Sequence, residues 1–265
     1  MRRLSISVVL CLSTAALADL TMVSETIAGG KTRTVTLSAK SNKAYFEMKE
    51  AEGPSRVMLR DGDAKKLYLV DHAKKTVVVI TEQDSKDTEA RQAAFRAQMQ
   101  AQLARMPPEQ RKHVEATMLA QGVTPEGKPA VLTYEKKKAP SRKVSGFSCE
   151  DYQIKRDGKL SGEGCYASWK VVGITADDFK ETMVKSMPSP GGGSPMGQAF
   201  EAEAAAPGFP VWRTTLDEQG AVVSESTVKS ISKTAMSAES FEVPKGYTEK
   251  SMADAMGGPP RPPVK

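Results

Sequence analysis

The sequence predicts an α+β fold, an antiparallel β-sheet interrupted by a helical insert, on three observations. Residues Asp19 to Glu82 break into short segments separated by turn signals. At about Asp84 the apolar period changes from strand-like to helical, and it stays so to about Gln121. Strand signals then return between Ala130 and Ser232.

Ahead of the first strand stands a leader. Arg2 and Arg3 supply a positive start, Leu4 to Thr14 a short apolar core, and Ala16-Leu17-Ala18 a small-x-small site before Asp19. Residues 1–18 are therefore expected to be a signal peptide cleaved between Ala18 and Asp19, leaving a periplasmic or secreted protein. The core is about half the roughly 20 residues a membrane anchor needs. Cys11 follows Leu10 rather than a small residue, so lipidation is not expected.

The first sheet segment carries turns at Ala28-Gly29-Gly30, Ser41-Asn42, Gly53-Pro54-Ser55, Asp61-Gly62 and Asp71-His72-Ala73-Lys74, the spacing of an antiparallel meander. Val35, Leu37 and Ala39 stand against Arg33, Thr34 and Thr36, and Ala44, Phe46 and Met48 against Tyr45, Glu47 and Lys49, so one face should be wet and the other buried. The β-branched run Val77-Val78-Val79-Ile80 reads as a central strand covered on both faces.

In the insert, at about 84–122, Phe95, Met99, Leu103 and Met106 recur at helical spacing and form one stripe. Pro107-Pro108 must end that helix and can open a second, on which Val114 and Met118 continue a stripe up to a C-cap at Gly122. Further strands are expected at Ala130–Glu135, Lys143–Arg156, Lys159–Val172, Val211–Leu216 and Ala221–Ser232, with turns at Asp157-Gly158 and Gln219-Gly220. Thr175 to Met187 suits a short helix, with Asp177 and Asp178 near its positive end. A flexible loop at about 188–207 and a disordered tail over 249–265, with four prolines from Gly257 onward, complete a single domain over 19–248.

Export leaves two cysteines, Cys149 and Cys165, and an oxidising compartment favours their pairing. The intervening Asp157-Gly158 turn would place them on neighbouring strands. A redox-active pair would be expected as C-x-x-C, so the bridge reads as structural.

Several dispersed motifs, taken in order, resemble a known family. They are Leu67-Tyr68-Leu69-Val70-Asp71-His72 followed by Lys74-Lys75-Thr76; Gly146-Phe147 with Cys149 and Tyr152; Asp157-Gly158-Lys159; Gly208-Phe209-Pro210; and Phe241-Glu242-Val243-Pro244-Lys245-Gly246-Tyr247. The sequence resembles bacterial domain-of-unknown-function family 4412 (DUF4412), whose secreted members look related to the outer-membrane lipoprotein carrier and acceptor (LolA/LolB-like) fold. The resemblance implies a strongly curved sheet, a half barrel, whose concave apolar face is closed by the helical insert as a lid. The family has no active site to carry over. In the closing motif, Phe241 and Val243 should share one side of an extended segment, with Pro244 ending its pairing and Gly246 permitting a turn.

Catalytic motifs are absent: there is no G-x-S-x-G, no G-x-x-x-x-G-K-[ST], no H-E-x-x-H and no C-x-x-C. Two histidines and three cysteines are too few for a multi-histidine metal site or a zinc ribbon, so neither metal nor cofactor is expected. His72 and His113 read as exposed polar residues, and Asp177-Asp178 as helix-start electrostatics. A formal charge of +6, two of it in the leader, is too weak to call for nucleic acid. Lys136-Lys137-Lys138 and Arg142-Lys143 fit a sheet edge protected against pairing better than a specific anion site.

Thirteen methionines, among them Met99, Met106 and Met118, suit an adaptable hydrophobic surface as well as a core. The expected function is thus an exported, non-catalytic binding or carrier protein for a hydrophobic ligand, a lipid or acyl chain, held between sheet and lid. Phe95, Met99, Leu103 and Met106 would face Phe46, Leu69 and Val79 across the ligand, and lid displacement would release it. The alternative is an envelope protein-interaction or chaperone-like role, since Pro108-Glu109-Gln110-Arg111 faintly resembles small periplasmic chaperone-like proteins. Hydrolase activity comes last.

Overall fold

A computed structural model describes residues 19–255 except 52, 113, 115–130, 178, 180–205, 218 and 235. Outside the described residues lie the leader with Cys11, His113, Met118, Gly122 and Asp178, most of the loop expected at 188–207, and the tail from 256.

Six strands form the meander: β1 (Leu20–Ala28), β2 (Lys31–Lys40), β3 (Lys43–Glu50), β4 (Arg56–Asp61), β5 (Lys66–Asp71) and β6 (Thr76–Thr81). Seven more follow the insert: β7 (Leu132–Lys136), β8 (Arg142–Val144), β9 (Phe147–Arg156), β10 (Lys159–Ala167), β11 (Phe209–Leu216), β12 (Val222–Ser232) and β13 (Thr248–Ser251). All belong to one sheet in the order β13-β6-β5-β4-β3-β2-β1-β12-β11-β10-β9-β7, with β8 also on β9. The path does not close on itself. Every pairing is antiparallel except that of β13 with β6. The fold class is therefore α+β, mostly antiparallel sheet with a few helices.

Turn chemistry explains the meander. Asp61 and Asp71 each accept a backbone N–H three residues on, from Ala64 and Lys74, so both carboxylates fix a tight hairpin reversal. Those bonds, more than the neighbouring lysines, hold both aspartates below the ordinary carboxylate range. Ser145 and Gly146 both take positive φ, which splits the single strand expected over Lys143–Arg156 into β8 and β9. Asp157 and Gly158 take the same geometry between β9 and β10. Cys149 and Cys165, diagonal across those strands, are bonded, with Cα atoms 5.4 Å apart.

Helix α1 (Glu82–Arg105) starts directly from β6. Thr81 caps it by accepting from the Asp84 N–H, while the Asp84 carboxylate accepts from the Thr81 N–H, a reciprocal capping box. Its far end stops before Pro107-Pro108, and Arg111 turns back to donate to the carbonyls of Leu103 and Ala104. The helix expected from Asp84 thus begins two residues earlier, because Thr81 is the better cap.

Other differences have local causes. The strand expected to run to Val172 ends at Ala167, and Trp169–Val172 forms one helical turn closed by Gly173 in left-handed conformation. Phe241 ends a 3-10 turn, Ala238–Phe241, rather than lying in an extended segment with Val243. Pairing begins after Gly246 instead of ending at Pro244, since Gly246 (φ 80°) swings the chain onto the β6 edge as β13. Residues 249–255, expected in the disordered tail, therefore complete that strand and a short helix, Met252–Ala255.

The expectation of one wet face also needs correction. Val57, Leu59, Val70 and Val77 are buried on the side opposite Phe46, with Tyr45, Tyr68, Val79, Val243 and Tyr247 packed on them. The chain after β12 supplies that cover. Sequence alternation missed it because the cover comes from about 200 residues downstream of Tyr45.

Candidate apolar binding face

The register assembles one continuous apolar row. Ile231 pairs with Met22, Met22 with Leu37, Leu37 with Phe46, Phe46 with Met58, Met58 with Leu69, and Leu69 with Val78. Side chains directly opposite in neighbouring strands lie on the same face, so these seven residues line up across seven strands. At Leu37 the row is core: Leu37 is 1% exposed and belongs to a buried cluster with Leu20, Val211, Val228 and Phe209, against which the half-buried Met22, Ile231 and Phe46 pack. From Phe46 to Val78 the side chains are only half-buried. Leu67 and Ile80 flank Leu69 and Val78 on the same face.

Two of the expected ligand residues, Phe46 and Leu69, thus share the face, two strands apart. Val79 does not: it pairs with Tyr68 and packs on the opposite side with Val57, Leu59 and Val70. Val78 takes the place expected for it. The four-residue β-branched run carries no alternation from which to decide which valine faces which way, whereas the Leu67-Tyr68-Leu69 alternation of the partner strand fixes it once the register is known. Met58 and Met22 lie outside the expected set, although Arg-x-Met-x-Arg in β4 alternates plainly.

The helical stripe is uneven. Leu103 is 6% exposed, Met99 and Met106 are half-buried, and Phe95 is 65% exposed. The helix touches β6, from which it springs. One face of α1 is therefore covered toward its C-terminal end, and Phe95 is presented outward.

Charge is distributed unequally between the two faces of the meander. Arg33, Arg56 and Arg60, with Lys31, alternate onto the side of the row; Lys40, Lys43, Lys49 and Lys66 alternate onto the other. Burial lowers the pKa of Arg60 and raises those of Tyr45 and Tyr68, the carboxylate of Glu47 adding to the shift at Tyr45. Among the described residues, no group of three or more His, Cys, Asp or Glu side chains is arranged to hold a metal. His72, in the β5–β6 turn, is exposed and hydrogen-bonded to the Tyr247 hydroxyl at 2.8 Å.

At the opposite edge of the sheet the lysine runs are engaged across strands: Lys136 with Glu150, Lys137 with Glu163 and Arg142 with Asp151. Arg142 also lies 4.7 Å from the centre of the Trp212 ring. They secure β7 and β8 to their neighbours.

This C-terminal half is where the sequence matches a known family. Residues 130–247 match the family model described as a domain of unknown function (DUF4412). The DUF4412 span takes in β7 to β12, the disulfide and the cover over Tyr45, and leaves the β1–β6 meander outside it. Among solved structures, the chain is similar to an uncharacterized conserved protein from Thermus thermophilus, with a TM-score of 0.44 and 9% identity over 88% of this chain and 90% of that one. It is also similar to the Pseudomonas aeruginosa MucA/MucB complex (TM-score 0.37, 7% identity, 84% of this chain and 55% of that one) and to MucB in complex with MucA(peri) (TM-score 0.37, 9% identity, 89% and 58%). The chain spans little more than half the length of those MucB chains. No curated protein matches it. Among the described residues no helix is long and apolar enough to cross a membrane.

Proposed function

We propose that the protein is an exported, non-catalytic binding or carrier protein that takes a hydrophobic ligand, a lipid or acyl chain, on the face from Phe46 to Val78. The observation that carries this reading is the unbroken apolar row, buried at Leu37 and only half-buried at every other member. A sheet face of that kind offers an acyl chain continuous contact without hydrogen-bonding demands. In this reading the sheet curves as a half barrel, α1 serves as the lid through Met99, Leu103 and Met106, and its displacement admits and releases the ligand. Export follows from the leader, with the mature chain starting at Asp19.

The test is native mass spectrometry of the protein purified from its own envelope, compared with the denatured mass. Retained lipid supports a carrier. Protein that emerges bare and shows no saturable binding of acyl ligands refutes it.

One observation favours a second reading, an envelope protein-interaction role. Phe95 is the most exposed of the large apolar side chains on α1 and stands where a protein partner would cover it. Cross-linking that yields a stoichiometric protein partner at residue 95, with no bound lipid, would support this reading over the first.

A further inference from the structure

Among the described residues seven large apolar side chains are exposed, and five of them gather at one end of the sheet. Ile27 stands near the end of β1, Val222 and Val223 at the start of β12, Leu160 at the start of β10, and Val131 just before β7. Register brings these positions to one rim, because Ala28 pairs with Ser224, Leu216 with Val222, Lys159 with Arg156, and Arg156 with Leu132. The five are between 43% and 64% exposed. Four of the strands also present them on one side. Ile27 pairs with Glu225 and Glu225 with Thr214, two residues from Leu216, whose partner is Val222. Thr214 pairs with Glu163 and Glu163 with Gln153, two residues from Lys155, whose partner is Leu160. Opposed residues, and residues two apart, point the same way, so Ile27, Val222, Leu216 and Leu160 emerge on one face of the consecutive strands β1, β12, β11 and β10. Single exposed valines need no explanation, but a row of aliphatic side chains along one rim does.

Charge gives the rim a chemical direction, because its other side is cationic. Lys31, opposite Ala28, and the pair Arg156 and Lys159 alternate onto that side and are exposed. They enter none of the ion pairs among the described residues. Arg156 and Lys159 are directly opposed, and like charges so placed repel. The described acids near the rim are already engaged. Asp157 accepts from the Val131 N–H and Asp217 from the Gln219 and Ala221 N–H groups, while Glu135 pairs with Lys155, Glu25 with Lys229 and Glu50 with Arg33. A second copy of the chain docked symmetrically through this rim would set the same cations against one another. Apolar groups on one side of a set of hairpin tips and cations on the other are instead the division of an interfacial binder, whose apolar part enters the acyl boundary while its cations meet headgroup phosphates.

We propose that this rim docks on the surface of a lipid bilayer carrying anionic headgroups, with Ile27, Val222, Val223 and Leu160 entering the interface and Lys31, Arg156 and Lys159 meeting phosphates. The rim belongs to other strands than the row from Phe46 to Val78, so the proposal goes beyond the carrier reading and does not rest on it.

The test is co-sedimentation of the purified protein with sucrose-loaded vesicles, either phosphatidylcholine alone or an equimolar mixture with phosphatidylglycerol. Co-sedimentation reads residence on the surface, whereas a lipid merely extracted by the protein leaves the protein in the supernatant. The wild-type protein is expected to bind the anionic vesicles about tenfold more tightly than the neutral ones, since each cation close to an anionic surface adds to the attraction. Arg156→Gln with Lys159→Gln should remove most of that preference. Val222→Ser with Leu160→Ser should weaken binding to the anionic vesicles about tenfold. Val171→Ser, at a valine 55% exposed but away from the rim, should leave binding unchanged. Absence of binding to the anionic vesicles, or equal binding to both kinds, overturns the proposal, as does a loss with Val171→Ser as large as with the rim pair. If vesicles do not retain the protein and the rim pair instead abolishes a stoichiometric complex with an envelope protein, the rim is a protein interface and the proposal falls. None of these failures touches the carrier reading, which is decided by retained lipid. The comparison of the two vesicles with the wild-type protein is decisive even if a variant does not fold.

Discussion

Replacing Leu69 by alanine, beside the same change at Leu37, distinguishes a ligand face from a filled core. Both leucines belong to one cross-strand row, but Leu37 is 1% exposed whereas Leu69 is half-buried. Removing the Leu37 side chain leaves a cavity among Leu20, Val211, Val228 and Phe209, and such truncations cost about 2–5 kcal/mol. Leu69 is covered only in part and leaves no closed cavity, so area alone predicts about 1–2 kcal/mol for its truncation. Urea denaturation followed by the fluorescence of Trp169 and Trp212, with fatty-acid titration on the same samples, reads both quantities. Leu37→Ala should be much the more destabilising and should leave the affinity of the folded protein unchanged. Leu69→Ala should weaken acyl binding about fivefold for a loss of 1 kcal/mol of contact. If Leu69→Ala destabilises as much as Leu37→Ala and leaves the titration unaltered, the row is core throughout and the reasoning fails.

Three further outcomes are expected. Edman sequencing of the exported protein should begin at Asp19, and a chain beginning at Met1 or a lipid on Cys11 would contradict the leader reading. Thiol titration of the denatured, unreduced protein should find no free cysteine, and Cys149→Ser with Cys165→Ser should lower stability by about 3 kcal/mol, the loop-closure value for a separation of this size, measured by urea midpoint. The folded pKa of Asp61 lies below its unfolded value, so its contribution is fully present above about pH 4 and is lost as pH falls through the folded pKa. Asp61→Asn should therefore shallow the acid limb of the stability profile, and an unchanged limb would show that the Ala64 N–H bond carries no such weight.

The meander was legible because its turns announce themselves. Gly29-Gly30, Asp61-Gly62 and Asp71 to Lys74 punctuate segments too short for anything but strands, and the structure turns the chain at each. The disulfide was legible for a different reason, since compartment and parity leave Cys149 and Cys165 as natural partners. Register was not legible. Whether Val78 or Val79 faces the row depends on a hydrogen-bonded match to Leu69 that no local pattern encodes in a run of four β-branched residues. The helix stripe was legible only as periodicity: Phe95, Met99, Leu103 and Met106 share a face, yet no local pattern says which of them is covered. Leu103 is covered and Phe95 is not.

The long-range step that shapes the candidate site is made by the segment after β12. Val243 and Tyr247 close over Val57, Leu59, Val70 and Val77, and β13 then seals the β6 edge with a Thr248 N–H to the Lys75 carbonyl. The closing motif thus covers a face and leads directly into the strand that covers an edge. Its consequence is asymmetry. One side of the β3–β6 meander has its apolar surface covered by the chain itself, so the opposite side, where Phe46, Met58, Leu69 and Val78 are half-buried, is the side on which the proposed ligand would lie.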